Sequence, residues 1–154
     1  YYRNGGNVPG NNTNVPTSGT ISMSNFYSAV NEIQIVISSN TTNYSLSNAF
    51  GSNWTTAVPK RLTINSGVTV GSSNTNPAMT IEGSMGGTLI VHNSGTIVGK
   101  GGAGSSSGAG GNGYNAVKTD QNGSITFYNN SGAAIYGGGG GGGKGGTGGQ
   151  GGTG

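Results

Sequence analysis

The chain contains no cysteine, so disulfides and thiolate metal sites are excluded. That absence identifies no compartment. Charge is nearly as scarce: Asp, Glu, Lys and Arg make up 6% of the residues, and the formal net charge is +3. Six cationic side chains scattered against three acidic ones give no clustered basic face, so nucleic-acid binding is not expected. Hydrophobic residues reach only 30%, and no apolar run approaches the ~20 residues that span a bilayer, so no membrane insertion is expected. Leu is rare beside Val and Ile, which suits pleated strands and argues against helical bundles and coiled coils.

Glycine, in contrast, fills 35 of 154 positions. It loses more backbone freedom on folding than any other residue. So few apolar side chains cannot by themselves offset that cost. Dense backbone hydrogen bonding, other copies of the chain, or both must supply the rest, and an obligate oligomer is the expectation. The sequence opens at Tyr1 without Met, so a fragment or processed product is expected.

Three zones follow one another. Residues 1–31 are rich in Asn, Gly and Pro and read as a connector. Within it, Ser24 is placed to cap one helical turn bearing Phe26, Tyr27 and Val30. Residues 32–98 form a β-rich repeat domain, with short β-branched runs at 33–37, 62–64, 68–70, 79–81, 89–91 and 97–98. Between the first two runs, residues 44–50 and Trp54 suggest a brief helix or packed loop, capped by Asn43 or Ser45. Residues 99–154 form a glycine-rich distal region containing one strand pair at 124–136.

Asn-Ser-Gly recurs at 65–67, 93–95 and 130–132, each time between two strand-like runs. Asn tolerates positive φ and Gly adopts it freely, so the chain can bend sharply there. The recurrence predicts an all-β fold: a short-stranded β-solenoid (β-helix-like) or stacked hairpins.

The glycine tracts carry a second periodicity. After Lys144 the non-glycine residues are Thr147, Gln150 and Thr153, spaced by three without exception. Lys100, Ala103, Ser106, Ala109 and Asn112 keep the same spacing in the earlier tract, broken only by Ser105 and Ser107. A polyproline II helix turns once in three residues, so side chains share one edge and two edges stay bare. Collagen has that period too but needs abundant Pro, absent here after Pro77. Flexible linkers keep no fixed period. The favoured reading is therefore polyglycine II segments packed side by side, with disordered loops as the competing one.

Chemistry for catalysis is missing. Glu32, Glu82, Asp120 and His92 are the titratable candidates, far apart and in no motif, so no enzyme is expected and no catalytic residue is assigned. Residues 138–144 imitate a phosphate-binding loop, but Gly145 stands where Ser or Thr would hold magnesium. No cofactor or metal is implied.

In these residues the sequence resembles the tail-fibre and tail-tip (receptor-binding) proteins of tailed bacteriophages. The phrase Val15-Pro-Thr-Ser-Gly-Thr-Ile-Ser-Met-Ser-Asn-Phe-Tyr27 is similar to a segment recurring in phage tail proteins, and residues 2–9 have the same character. Residues 62–71 and 88–99, leading into a glycine-rich stretch, are similar to the distal regions of such fibres. The resemblance implies an intertwined homotrimer in the virion tail, in contact with other phage tail proteins and with a bacterial outer-surface receptor, protein or glycan. It implies host attachment through loops that join glycine strands. This chain departs from that pattern in that its aromatics do not cluster in such loops. The candidate receptor-binding residues are Asn112, Tyr114, Lys118 and Asp120 after the first tract, and Lys144, Thr147 and Gln150 in the second. A purely structural shaft or tip module and a glycine-rich ice-binding protein are the alternatives.

Overall fold

Alternation sets the body of the molecule. In β4 (Lys60–Ile64) and β7 (Leu89–Asn93) every second side chain is buried, as expected of strands with one face on a core. The computed structural model describes residues 32–121 and 124–146. The helical turn expected at Ser24 lies outside the described residues.

The described strands fall into three sheets. The first is ordered β1 (Ile33–Ile37), β4, β7 and β10 (Ile125–Asn129). The second holds β2 (Thr41–Thr42), β5 (Thr69–Gly71), β8 (Thr96–Val98) and β11 (Ala134–Tyr136). The third holds β3 (Tyr44–Ser45), β6 (Met79–Ile81) and β9 (Val117–Thr119). The fold is thus mostly β-strand with little helix. Every ladder among the described residues is parallel. Each of the first three passes of the chain, here a tier, gives one strand to each sheet in turn, and the fourth gives β10 and β11 to the first two sheets, so Ile33, Lys60, Leu89 and Ile125 stand in one column.

Two expectations are corrected by this pairing. Stacked hairpins would pair sequence neighbours antiparallel, whereas sequence neighbours here belong to different sheets. The strands at 124–136 accordingly do not pair with each other: β10 pairs with β7 and β11 with β8. The Asn-Ser-Gly turns redirect the chain from one sheet to the next instead of reversing it, with Gly67 at φ 77° and Gly132 at φ 82°.

The middle Asn-Ser-Gly is also out of step with the other two. Asn65, Ser94 and Asn130 are equivalent, since their amides donate to Ile37 O, Ile64 O and Asn93 O. The turn between β7 and β8 is shorter, and this pulls Asn93 into the buried strand position held by Ile64 one tier below. Asn93 is wholly buried; its Nδ2 donates to Asn129 Oδ1 at 2.7 Å and its Oδ1 accepts from the Gly95 amide at 3.1 Å. Gly95 allows the tight turn because a Cβ there would lie 2.2 Å from Val68 O.

Leu62, Ile64, Val70, Met79, Ile81, Leu89, Val91 and Ile97 fill the space between the sheets. The helix foreseen after Asn43 is α1 (Leu46–Phe50), capped by Ser45, whose Oγ accepts from the Asn48 amide. It leads into a 3-10 turn, Gly51–Thr55, that buries Trp54 against the core and lets its Nε1 donate to Gly83 O at 3.1 Å. Lys60 occupies an inward position and is fully buried. Its ammonium donates to the carbonyls of Thr56, Val58 and Gly86, tying two loops together, while burial lowers its pKa. On the outer face of the first sheet, Arg61 pairs with Glu32 and contacts His92, and His92 stacks on Tyr128. At the last tier Phe127, Tyr128, Ile135 and Tyr136 are exposed.

One corner grows from tier to tier. Between the second and third sheets the first tier spends a single residue, Asn43, the second spends residues 72–78, and the third spends residues 99–116. The glycine tracts emerge there.

Candidate functional site

Three stretches of the tracts lie side by side. The first (residues 99–105) leaves β8, the second (108–114) returns toward β9, and the third (136–144) leaves β11. Their amides bond in a closed cycle. Gly99, Ser105 and the Gly102 between them donate to Tyr136, Gly142 and Gly139 in the third stretch, at 2.8–2.9 Å. Gly138, Gly141 and Lys144 donate to Tyr114, Gly111 and Gly108 in the second, each at 2.8 Å. Gly111 and Tyr114 donate to Ala103 and Lys100 in the first, at 2.7 and 2.9 Å. Donors therefore recur every third residue.

Glycine is required here for space. None of these glycines has positive φ. A Cβ on Gly102 would lie 2.0 Å from Gly111 O, on Gly110 2.0 Å from Gly141 O, and on Gly113 1.8 Å from Gly138 O. On Gly138 and Gly141 it would lie 1.8 and 2.0 Å from Lys100 O and Ala103 O. Each such glycine presents its Cα–H to a neighbouring carbonyl, the geometry of a weak Cα–H···O contact. Gly139 and Gly142 face open space. All three stretches come from one chain, so the tracts need no second copy to satisfy these amides.

Lys100 and Ala103 in the first stretch, Ala109 and Asn112 in the second, and Ser106 between the two are exposed. The third stretch differs. Lys144 continues the phase of Gly138 and Gly141, the inward phase, so the single bare-edged phase expected for both tracts does not hold. A side chain in that phase cannot enter the interior, and Lys144 stands exposed where the packing ends, beside Gly108.

The predicted site residues are dispersed. Asn112 is exposed midway along the second stretch, and Tyr114 is half-buried at its base, where its carbonyl accepts from Gly138. Lys118 and Asp120 lie in the strand body: Lys118 pairs with Glu82, and Asp120 accepts from the Gly83 amide. Hydrogen bonding to Glu82, its charge and that of Asp120 raise the Lys118 pKa. Lys144 marks the far end. Thr147 and Gln150 lie outside the described residues.

Below the bundle, the stepped corner leaves a groove of about 300 Å³, lined by Asn43, Ser45, Asn76, Pro77, Thr80, Glu82 and Lys118. Only Lys118 among these was singled out as a receptor-binding candidate from sequence. The lining falls into three groups, 43–45, 76–82 and 118, each more than thirty residues from the next, and they come together through the Ser45–Thr80–Lys118 rungs of the third sheet. No group of His, Cys, Asp or Glu able to hold a metal occurs among the described residues.

One family model matches the chain, described as phage tail fibre adhesin Gp38, over residues 32–154. No curated protein and no solved structure matches it.

Proposed function

The chain belongs to the phage tail fibre adhesin Gp38 family, and from that premise we propose how its fold serves attachment. It is a component of the virion tail that mediates contact with the host cell surface. The family is one of structural attachment proteins and suggests no catalytic role. The tiers act as a four-level β-solenoid, a stiff base built by parallel stacking. The three glycine stretches form a polyglycine II lattice standing on that base, and the free end of the lattice carries the receptor contact.

One observation carries the reading: amides bond at every third residue around a closed cycle, with carbonyls occupying the places where side chains would be. At ~3.1 Å per residue, the six residues from Tyr114 to Gly108 lift the free end roughly 19 Å above the base. That end presents residues 105–108 and Lys144, and Thr147 and Gln150 follow in sequence. Asn112 lies on the flank, while Tyr114, Lys118 and Asp120 belong to the base and are assigned no contact with the receptor at the tip. The lattice closes within one chain, so a homotrimer is not needed to form it. Several such tips on one virion would gain avidity from high effective concentration.

Purified protein added to host cells before phage should block adsorption, and Gly141→Ala, which disrupts the lattice, should lose most of that block. A block unchanged by Gly141→Ala would move the contact off the lattice. No block by the intact protein would leave the chain a supporting module of the fibre.

A further inference from the structure

We propose that the groove at the stepped corner is a binding site for a neutral saccharide ring, separate from the tip of the glycine bundle. None of its lining residues belongs to the bundle stretches, and the proposal does not depend on the tip's role.

The groove is held open by a rigid rim. Asn43, the one non-glycine residue with positive φ (50°) among the described residues, bridges the first two tiers. Its Nδ2 donates to Asn76 O and Pro77 O at 3.3 and 3.2 Å, and its Oδ1 accepts from the Ser73 hydroxyl at 2.6 Å. Ser72 Oγ donates to Asn76 O at 2.5 Å with Asn74 O also 3.0 Å away, and the Asn76 amide donates to Asn74 Oδ1 at 2.8 Å. An exposed loop pinned at so many points pays little ordering entropy when a ligand arrives.

The rim leaves its inward-facing polar groups unspent. The Asn76 side-chain amide and the Thr80 hydroxyl bond no protein group among the described residues. Lys118 and Glu82 engage each other, but an ammonium retains two further donors and a carboxylate several acceptor sites. The set offers both donors and acceptors, which suits hydroxyl groups that do both. Pro77 adds an apolar wall for the C–H face of a ring.

Charge narrows the class. Inside the groove one cation meets one anion, and Asp120 lies close enough to act on Lys118. An acidic sugar would compete with Glu82 for the single ammonium, with Asp120 adding negative charge behind it. At about 300 Å³ the groove matches the lower end of small-ligand sites, a mono- or disaccharide.

The test is a titration of the whole chain, isotopically labelled, with methyl glucoside, methyl mannoside and methyl galactoside to tens of millimolar, followed by amide and side-chain NMR shifts. At least one glycoside should saturate shifts at Asn76, Thr80 and Lys118. Glu82→Gln and Lys118→Met should each weaken that binding roughly ten-fold, whereas Lys144→Ala should leave it unchanged. Both altered side chains are solvent-accessible, at 34% and 54%, and an unaltered spectrum of the free variants certifies their folding. No shift with any glycoside, shifts confined to residues 105–108 and 144, or tighter binding of glucuronate than of methyl glucoside would each overturn the proposal.

Discussion

The strand body and the glycine bundle solve the same packing problem with opposite materials. In the body, side chains such as Leu62, Val91 and Ile97 fill the interior, and the backbone hydrogen bonds lie in the sheets around them. In the bundle the interior is backbone itself, and the six glycines at 99, 102, 110, 113, 138 and 141 exist there because nothing larger fits. Stability in the first depends on what the side chains contribute, and in the second on their absence. Mutational sensitivity should therefore invert between the two regions.

The largest effect tests the body. Leu62→Ala should cost about 2–5 kcal/mol in chemical denaturation, because Leu62 is fully buried at the centre of β4. Next, Gly138→Ala or Gly141→Ala should destabilise the bundle by about 1–3 kcal/mol, forcing carbonyl and methyl apart. Amide exchange should then speed up at Gly102, Gly111 and Gly141 while β4 and β7 stay protected. If the body opened equally, the two regions would be one cooperative unit and the comparison would fail.

A smaller effect sharpens the electrostatic side of the body. Burial alone would raise the Glu32 pKa, but hydrogen bonds from Arg61 and Gln34 and the nearby positive charge outweigh it and hold the carboxyl below 4.5. A depressed carboxyl stabilises the fold above its unfolded pKa, and that contribution is lost as pH falls through the folded one. Glu32→Gln should cost on the order of 1 kcal/mol at neutral pH, and the gap to the parent should close below pH 4.5. The smallest effect reverses sign. Gly139→Ala and Gly142→Ala face open space and should be neutral or stabilise by up to about 1 kcal/mol through the unfolded chain.

Much of this body was legible in the sequence because its strands are written in β-branched residues. The runs at 33–37, 62–64, 79–81, 89–91 and 125–128 lie in strands, and Ser45 caps the helix foreseen there. The strands β2, β3 and β9 were not foreseen: they are two or three residues long, and Thr41–Thr42 carries no apolar alternation at all. Parallel pairing left no local mark either, since a rung such as Ile33↔Lys60 joins residues too distant for any turn signal. Lys60 reads as a surface residue until two loops fold over its ammonium. Period three in the tracts announced side-by-side packing, but not which phase would face inward in the third stretch. The groove escaped notice because it is made by the steps between tiers, not by any one segment.

Bonding at every third residue also quantises the height of the projection. An insertion of three residues in each of the three stretches preserves every donor and every bare glycine face, and in the proposed polyglycine II geometry it would raise the summit by about 9 Å. One or two added residues in a single stretch would instead turn a side chain into the junction. Such an adhesin changes its reach in whole increments, and length variants arising in the wild should differ by multiples of three.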